Sequence, residues 1–256
     1  MNAIDALLPY LNDAIWHGFS VFLRVAAITA MLPAFGEQSV PARIKLVIAL
    51  AFTLVVAPAV PMSEPPPDVT AFSTRAISEA IAGLIVGIGL RLFILALQTA
   101  GSIAAQSTSL SQVLGGAAVD PMPAMGYILI VGGLALAVML GLHFKAAQLI
   151  ILTYKILPMG QFANGDEVSQ WGVRQVSHAF ALAFTLAAPF VILSVLYNLA
   201  LGAINRAMPQ LMVAFVGAPL ITAGGLGLLL VSAPYMLMFW IEAVEQYMAN
   251  PFGARP

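Results

Sequence analysis

Cysteine is absent from this chain, and charge is scarce: Asp, Glu, Lys and Arg make up only 8% of its 256 residues. The first absence excludes disulfides, thiolate metal sites and cysteine nucleophiles. The second excludes an ordinary soluble domain, which carries roughly 25% charged residues to cover its surface. Net charge is −1, so there is no basic patch for nucleic acid. Recognisable catalytic spacings are missing too. His17, His143 and His178 lie far apart, and none belongs to an HExxH pattern. There is no Walker-type GxxxxGK[ST], no GxGxxG after a strand and no GxSxG elbow. Ser107, Ser109 and Ser111 have no visible base, and Asp120, which precedes a proline, suits a turn or cap better than catalysis. No enzyme and no cofactor or metal is expected. A signal peptide is not expected either, because Asp5 and Asp13 stand where Lys or Arg would precede the first apolar run.

What remains is apolar: 61% of the residues are hydrophobic. The reading is a single integral-membrane domain over residues 1–256, all α, with little mass outside the bilayer. Runs long enough to span, roughly 17–25 residues, occur six times. They cover about Leu11–Pro33, Ile44–Val60, Ala76–Thr99, Tyr127–Ile151, Val176–Ala203 and Leu211–Ile241. Pro189 and Pro219 should kink the last two.

The polar residues inside this pattern are informative. Arg24 lies near the middle of the first run, where a charge costs several kcal/mol by rough insertion scales. It should face protein, water or a carboxylate. Arg91 sits deep in the third run and calls for the same, and Gly83 and Gly87 there form a small-xxx-small face for close helix packing. Glu79 and Arg75 are one helical turn apart and are expected to pair. Ser39 is a candidate cap for the second helix, with Arg43 and Lys45 as an interfacial collar. The proline-rich Pro61–Asp68 reads as a stiff linker. Within the polar stretch Thr153–Arg174, Leu157–Gly160 and Asn164–Glu167 read as turns, and Trp171 suits a membrane interface. Asn198–Gln210 reads as the polar tip of a hairpin formed by the last two runs. The distribution of basic residues would place both termini inside.

The stretch Gln106–Gly126, QSTSLSQVLGGAAVDPMPAMG, stands apart. Gly115-Gly116 permits unusual backbone angles, and Pro121 and Pro123 forbid a continuous helix. Irregular backbone beside a membrane span must be wet, buried in protein or lining a cavity. The stretch is therefore either an ordinary connecting loop or a loop that lines or closes a passage. A secondary transporter of small molecules is the competing class. It would need internal repeats and intramembrane carboxylates. No clear repeat joins the halves, and Glu79 is nearly alone among the spans.

Three stretches resemble one family: Phe35–Leu46 (FGEQSVPARIKL), the segment around Gly115-Gly116-Ala117-Ala118-Val119-Asp120-Pro121, and Tyr197–Leu211 (YNLALGAINRAMPQL). With the six runs and the length, they are similar to the FliR family, the R subunit of the flagellar type III export gate, which has a counterpart in virulence injectisomes. The resemblance covers essentially the whole chain.

It implies a single R protomer assembled with P-type and Q-type subunits into a pore-containing complex of the inner membrane, in the flagellar basal body. It implies an early part like a P subunit and a final hairpin, residues 176–241, like a Q subunit. The helices would then be kinked hairpins packed largely in protein. Further implied partners are the FlhB-type switch subunit, the FlhA-type export ring and unfolded protein substrates, beside membrane lipid. The loop at residues 106–126 would be a plug, with Val113, Leu114, Gly115, Gly116, Ala117, Asp120, Pro121 and Met122 at the gate. Family members often carry aromatics in this loop; here its residues are aliphatic or small. The hairpin tip, with Asn205, Arg206, Pro209 and Gln210, would face cytoplasmic partners, against the small difference in basic residues, and the resemblance takes precedence.

Overall fold

The computed structural model describes residues 3–108, 124–208 and 213–253. Every regular element among them is helical. In chain order these are α1 (Ala3–Met31), α2 (Ala42–Val56) with a 3-10 turn at Ala57–Ala59, and α3 (Val69–Thr108). Then come α4 (Ala124–Met139), α5 (Leu142–Ile156), α6 (Gly165–Ala207) and α7 (Val213–Ala249). Five stretches are long and apolar enough to cross a membrane, six if α4 and α5 count as one broken span. The chain is an all-α membrane protein.

Several boundaries differ from the hydropathy reading, each for a local reason. The fourth run is two helices bent by 76°. The break falls at Gly141, whose φ of 79° is open to glycine and strained for other residues. The third run extends into a 40-residue helix. It starts early because Asp68 caps it: the Ala71 N–H donates to Asp68 Oδ1 at 2.7 Å. The fifth run begins at Gly165, so Asn164–Glu167 is a helix start and not a free turn. The Asp166 N–H donates to Asn164 Oδ1 at 3.0 Å, and Asp166 and Glu167 favour the positive end of the helix dipole. At its other end α6 runs on to Ala207, so most of the expected hairpin tip is helical. Pro189 in α6, and Pro219 and Pro234 in α7, lie inside continuous helices. The last run continues to Ala249 and includes Glu242 and Glu245. Helix α2 starts on Pro41 without a side-chain cap, so Ser39 does not cap it.

Two compact units emerge from the contacts. The first is Met1–Leu92, Ala137–Gln175 and Val244–Pro256; the second is Phe93–Leu136 and Val176–Ala243. In the first unit α1 packs on α3 at the predicted small face. A Cβ on Gly83 would lie 2.5 Å from the Arg24 carbonyl oxygen, and one on Gly87 would lie 2.9 Å from Met31 Cβ. Val21, Val25, Ile28, Val86, Leu90 and Leu149 fill the core between these helices and α5. Trp171 is buried against Phe252, and its indole N–H donates to the Pro251 carbonyl at 2.8 Å. It is a packing residue, not an interfacial one. In the second unit Leu97, Ala100, Leu129, Ala183, Leu186 and Phe190 are buried. Trp240 is fully buried there and donates to the Phe93 carbonyl at 2.8 Å.

Candidate gate anchors and buried charge centre

Arg24, on α1, is fully buried. Its guanidinium meets Glu79 of α3 side-on, Nε to Oε2 at 2.8 Å and Nη2 to Oε1 at 3.0 Å. Nη1 donates to the Leu157 carbonyl at 2.7 Å, and the Tyr154 ring stacks 3.9 Å from the guanidinium carbon. Glu79, equally buried, also accepts the Gly160 N–H at 2.9 Å. The charges are thus paired and hydrogen-bonded, the condition under which a buried pair is tolerable. The pair also grips both ends of the Leu157–Gly160 turn. This corrects the expected Arg75–Glu79 pair: Arg75 donates instead to the Glu64 carbonyl at 2.7 Å, tying down the proline-rich linker. A helical-turn spacing made that local pair attractive, but the fully buried Arg24 needs a carboxylate partner more than the half-buried Arg75 does.

Arg91 bonds Glu37 at 2.7 Å, and both side chains are partly exposed. Glu37 lies in the Phe35–Leu46 stretch, so that stretch supplies the acid for Arg91, whose expected full burial is not found. Arg43 is exposed, while Lys45 donates to the Gly36 carbonyl at 2.8 Å and closes the turn after α1.

Val113, Leu114, Gly115, Gly116, Ala117, Asp120, Pro121 and Met122 lie outside the described residues, as do Pro209 and Gln210. The flanks of the first group are well placed. In the second unit a Cβ on Gly101 would lie 2.2 Å from Gly126 Cα, so the two backbones touch where α3 and α4 cross. Thr108, the last residue of α3, is buried; a Cβ on Gly225 of α7 would press on it at 2.7 Å, and the Thr222 hydroxyl donates to its carbonyl at 3.3 Å. The described residues on both sides of that segment are therefore anchored in this unit. Sequence reading missed these contacts. The only signal was a glycine on each side of the segment, Gly101 and Gly126.

Asn205 and Arg206 are exposed in the last turn of α6. Nearby, the arms of the hairpin approach closely: a Cβ on Gly217 would lie 2.2 Å from the Tyr197 hydroxyl oxygen.

The family model of bacterial export proteins, family 1, matches residues 15–247. The chain belongs to this family. Its relatives carry one name. It is 34% identical over 230 residues to the flagellar biosynthetic protein FliR of Caulobacter vibrioides, covering 88% of this chain and 92% of that one. Against FliR of Escherichia coli the identity is 31% over 245 residues, 91% and 88% of the two chains. Against FliR of Bacillus subtilis it is 30% over 227 residues, 86% and 84%. The match to the bacterial export family begins inside α1 and ends inside α7, so it takes in the charge centre, the anchors and the hairpin together.

Proposed function

We propose that this chain is a non-enzymatic subunit of the flagellar type III export gate in the bacterial inner membrane, forming and closing the pore through which unfolded flagellar proteins pass. The match to the bacterial export family across residues 15–247, with relatives named as flagellar biosynthetic proteins, carries the reading. A physical observation supports assembly with other subunits. Within the second unit the exposed apolar residues of α6 run from Val176 to Ile204, about 42 Å at the helical rise of about 1.5 Å per residue. The hydrocarbon of a bilayer is only about 30 Å thick. Protein partners of the P and Q type would cover the excess, with one R protomer per complex, and FlhB-type and FlhA-type subunits would meet it on the cytoplasmic side.

In this reading the segment Ser107–Met125 is the plug. The crossing of Gly101 with Gly126 and the seat of Thr108 on Gly225 hold its base, while Gly115-Gly116 lets the part between fold or swing aside. An apolar constriction made of Val113, Leu114 and Ala117 resists water and ions by dewetting. Energy for transport is supplied by other components.

Gentle detergent extraction of the tagged chain tests the assembly. The expected product is a large complex containing several other small hydrophobic proteins. A monomer or a symmetric oligomer of this chain alone would point to a small-molecule carrier and overturn the reading.

A further inference from the structure

In the first unit an open groove of about 550 Å³ is walled by Lys145, Gln148, Leu152 and Lys155 of α5 and by Glu245 and Met248 of the last turns of α7. The α5 residues are spaced three, four and three apart, one face of a helix. Beside these polar groups the lining includes the apolar side chains of Leu152 and Met248.

The two lysines are not equivalent. Lys145 is answered by Glu245 through a short ion pair. Lys155 is exposed, and among the described residues no carboxylate pairs with it. Its place in the last turn of α5 lets it offset the negative end of the helix dipole, and its charge stays open to an anion as well. Immediately beyond it the chain is non-helical from Leu157 to Asn164. Such backbone must lie where water or headgroups reach it, unless protein buries it, and Gln161, Phe162 and Asn164 are exposed. Lys155 therefore stands at the polar edge of a membrane protein, beside apolar groove lining, with a positive charge that no carboxylate among the described residues answers.

We propose that this groove binds an anionic glycerophospholipid, with its phosphate on Lys155, a headgroup hydroxyl on Gln148 and the upper part of an acyl chain over Leu152 and Met248. A cation beside apolar surface recognises such an amphiphile by charge and by burial together. A free anion would leave the apolar lining uncovered, and in a zwitterionic lipid the headgroup's own cation largely cancels the phosphate that Lys155 would meet.

Native mass spectrometry of the full chain, released from micelles holding equal amounts of phosphatidylglycerol and phosphatidylcholine, reads the preference directly. The expected result is about fivefold more retained phosphatidylglycerol, the order expected for one lysine near an anionic lipid. Lys155→Glu should bring the ratio to parity, and the milder Lys155→Gln should lower it partway. Arg174→Glu, which reverses an exposed cation elsewhere in the same unit, should leave it unchanged. Equal retention of both lipids by the wild-type chain would overturn the proposal, as would an Arg174→Glu effect as large as that of Lys155→Glu. Displacement by millimolar inorganic phosphate would instead make this a free-anion site. Loss of the preference in the assembled complex would mean that a partner polypeptide occupies the groove, and would equally overturn the proposal.

Discussion

Arg24 and Glu79 lie 55 positions apart in the chain and form a bidentate ion pair with no solvent access to either side chain. Because the same two residues hold the Leu157 carbonyl and the Gly160 N–H, the pair joins α1, α3 and the turn into α6 in one polar centre.

The first prediction concerns its energetics. Arg24→Ala or Glu79→Ala alone should destabilise the protein by about 3–5 kcal/mol, since each leaves an uncompensated buried charge. The double substitution Arg24→Met with Glu79→Leu should cost well under the sum of the two single losses. It should not reach the wild type, because two backbone groups lose their partners at about 1–3 kcal/mol each. Unfolding midpoints of the purified variants in detergent measure this. Additive losses in the double variant would show that the charges do not act as a pair.

A second prediction contrasts two glycines of the second unit. Gly101→Ala should destabilise by about 1–3 kcal/mol, as overpacking does, because the new Cβ meets Gly126 backbone that cannot rotate away. Gly227→Ala should be neutral or stabilise by up to about 1 kcal/mol through helix propensity, since nothing lies within 4 Å of that Cβ. Thermal melts of the two variants decide it; equal effects would mean that the α3–α4 crossing is not close.

Much of this architecture was legible in the sequence, and the failures are instructive. The six apolar runs mark spans because hydrophobic length is a direct consequence of the bilayer. The Gly83/Gly87 face was readable because small residues at that spacing permit one kind of packing. Helix ends were not readable from hydropathy: Asp68 and Asn164 start helices in polar sequence, where an apolar window sees nothing. The partner of Glu79 was misassigned because local spacing favours Arg75, whereas burial of a residue 55 positions away decides the matter. The bend at Gly141 was hidden because a glycine in an apolar run continues a helix as readily as it breaks one. The gate residues from Val113 to Met122 rest on resemblance and lie outside the described residues.

The third prediction tests the hairpin. The Tyr197 hydroxyl is buried without a hydrogen-bond partner among the described residues and sits where a Gly217 side chain would be. Gly217→Ala should therefore be destabilising in the wild-type background and milder in Tyr197→Phe. A coupling of about 0.5–3 kcal/mol is the range for residues in contact. A double-mutant cycle on thermal unfolding measures it. Simple additivity would mean that the arms do not approach at this point.

The plug is tested by deletion. Removing Ser111–Val119 should leave the complex assembled, because Gly101, Thr108, Gly126 and Gly225 remain. It should make the membrane leak ions or small solutes. Conductance of the assembled complex in planar bilayers, beside its subunit composition, separates the two effects. Unchanged permeability in an intact complex would remove the gating role.

Arg206 has two candidate roles, and they are separable. In the last turn of α6 a cation offsets the negative end of the helix dipole, typically by about 0.3–1 kcal/mol. As part of a partner-contact surface it would pair with an acidic group on the switch subunit. Arg206→Glu should abolish both effects. Arg206→Lys keeps the charge at the helix end but not the planar two-pronged geometry that an arginine offers a carboxylate. If Arg206 contacts the partner, Arg206→Lys should keep the melting temperature while site-specific cross-linking to the switch subunit falls, and export should fall with it. If both variants cross-link and export normally, and only Arg206→Glu lowers the melting temperature, then the residue serves the helix alone and the contact surface must be sought elsewhere on the hairpin.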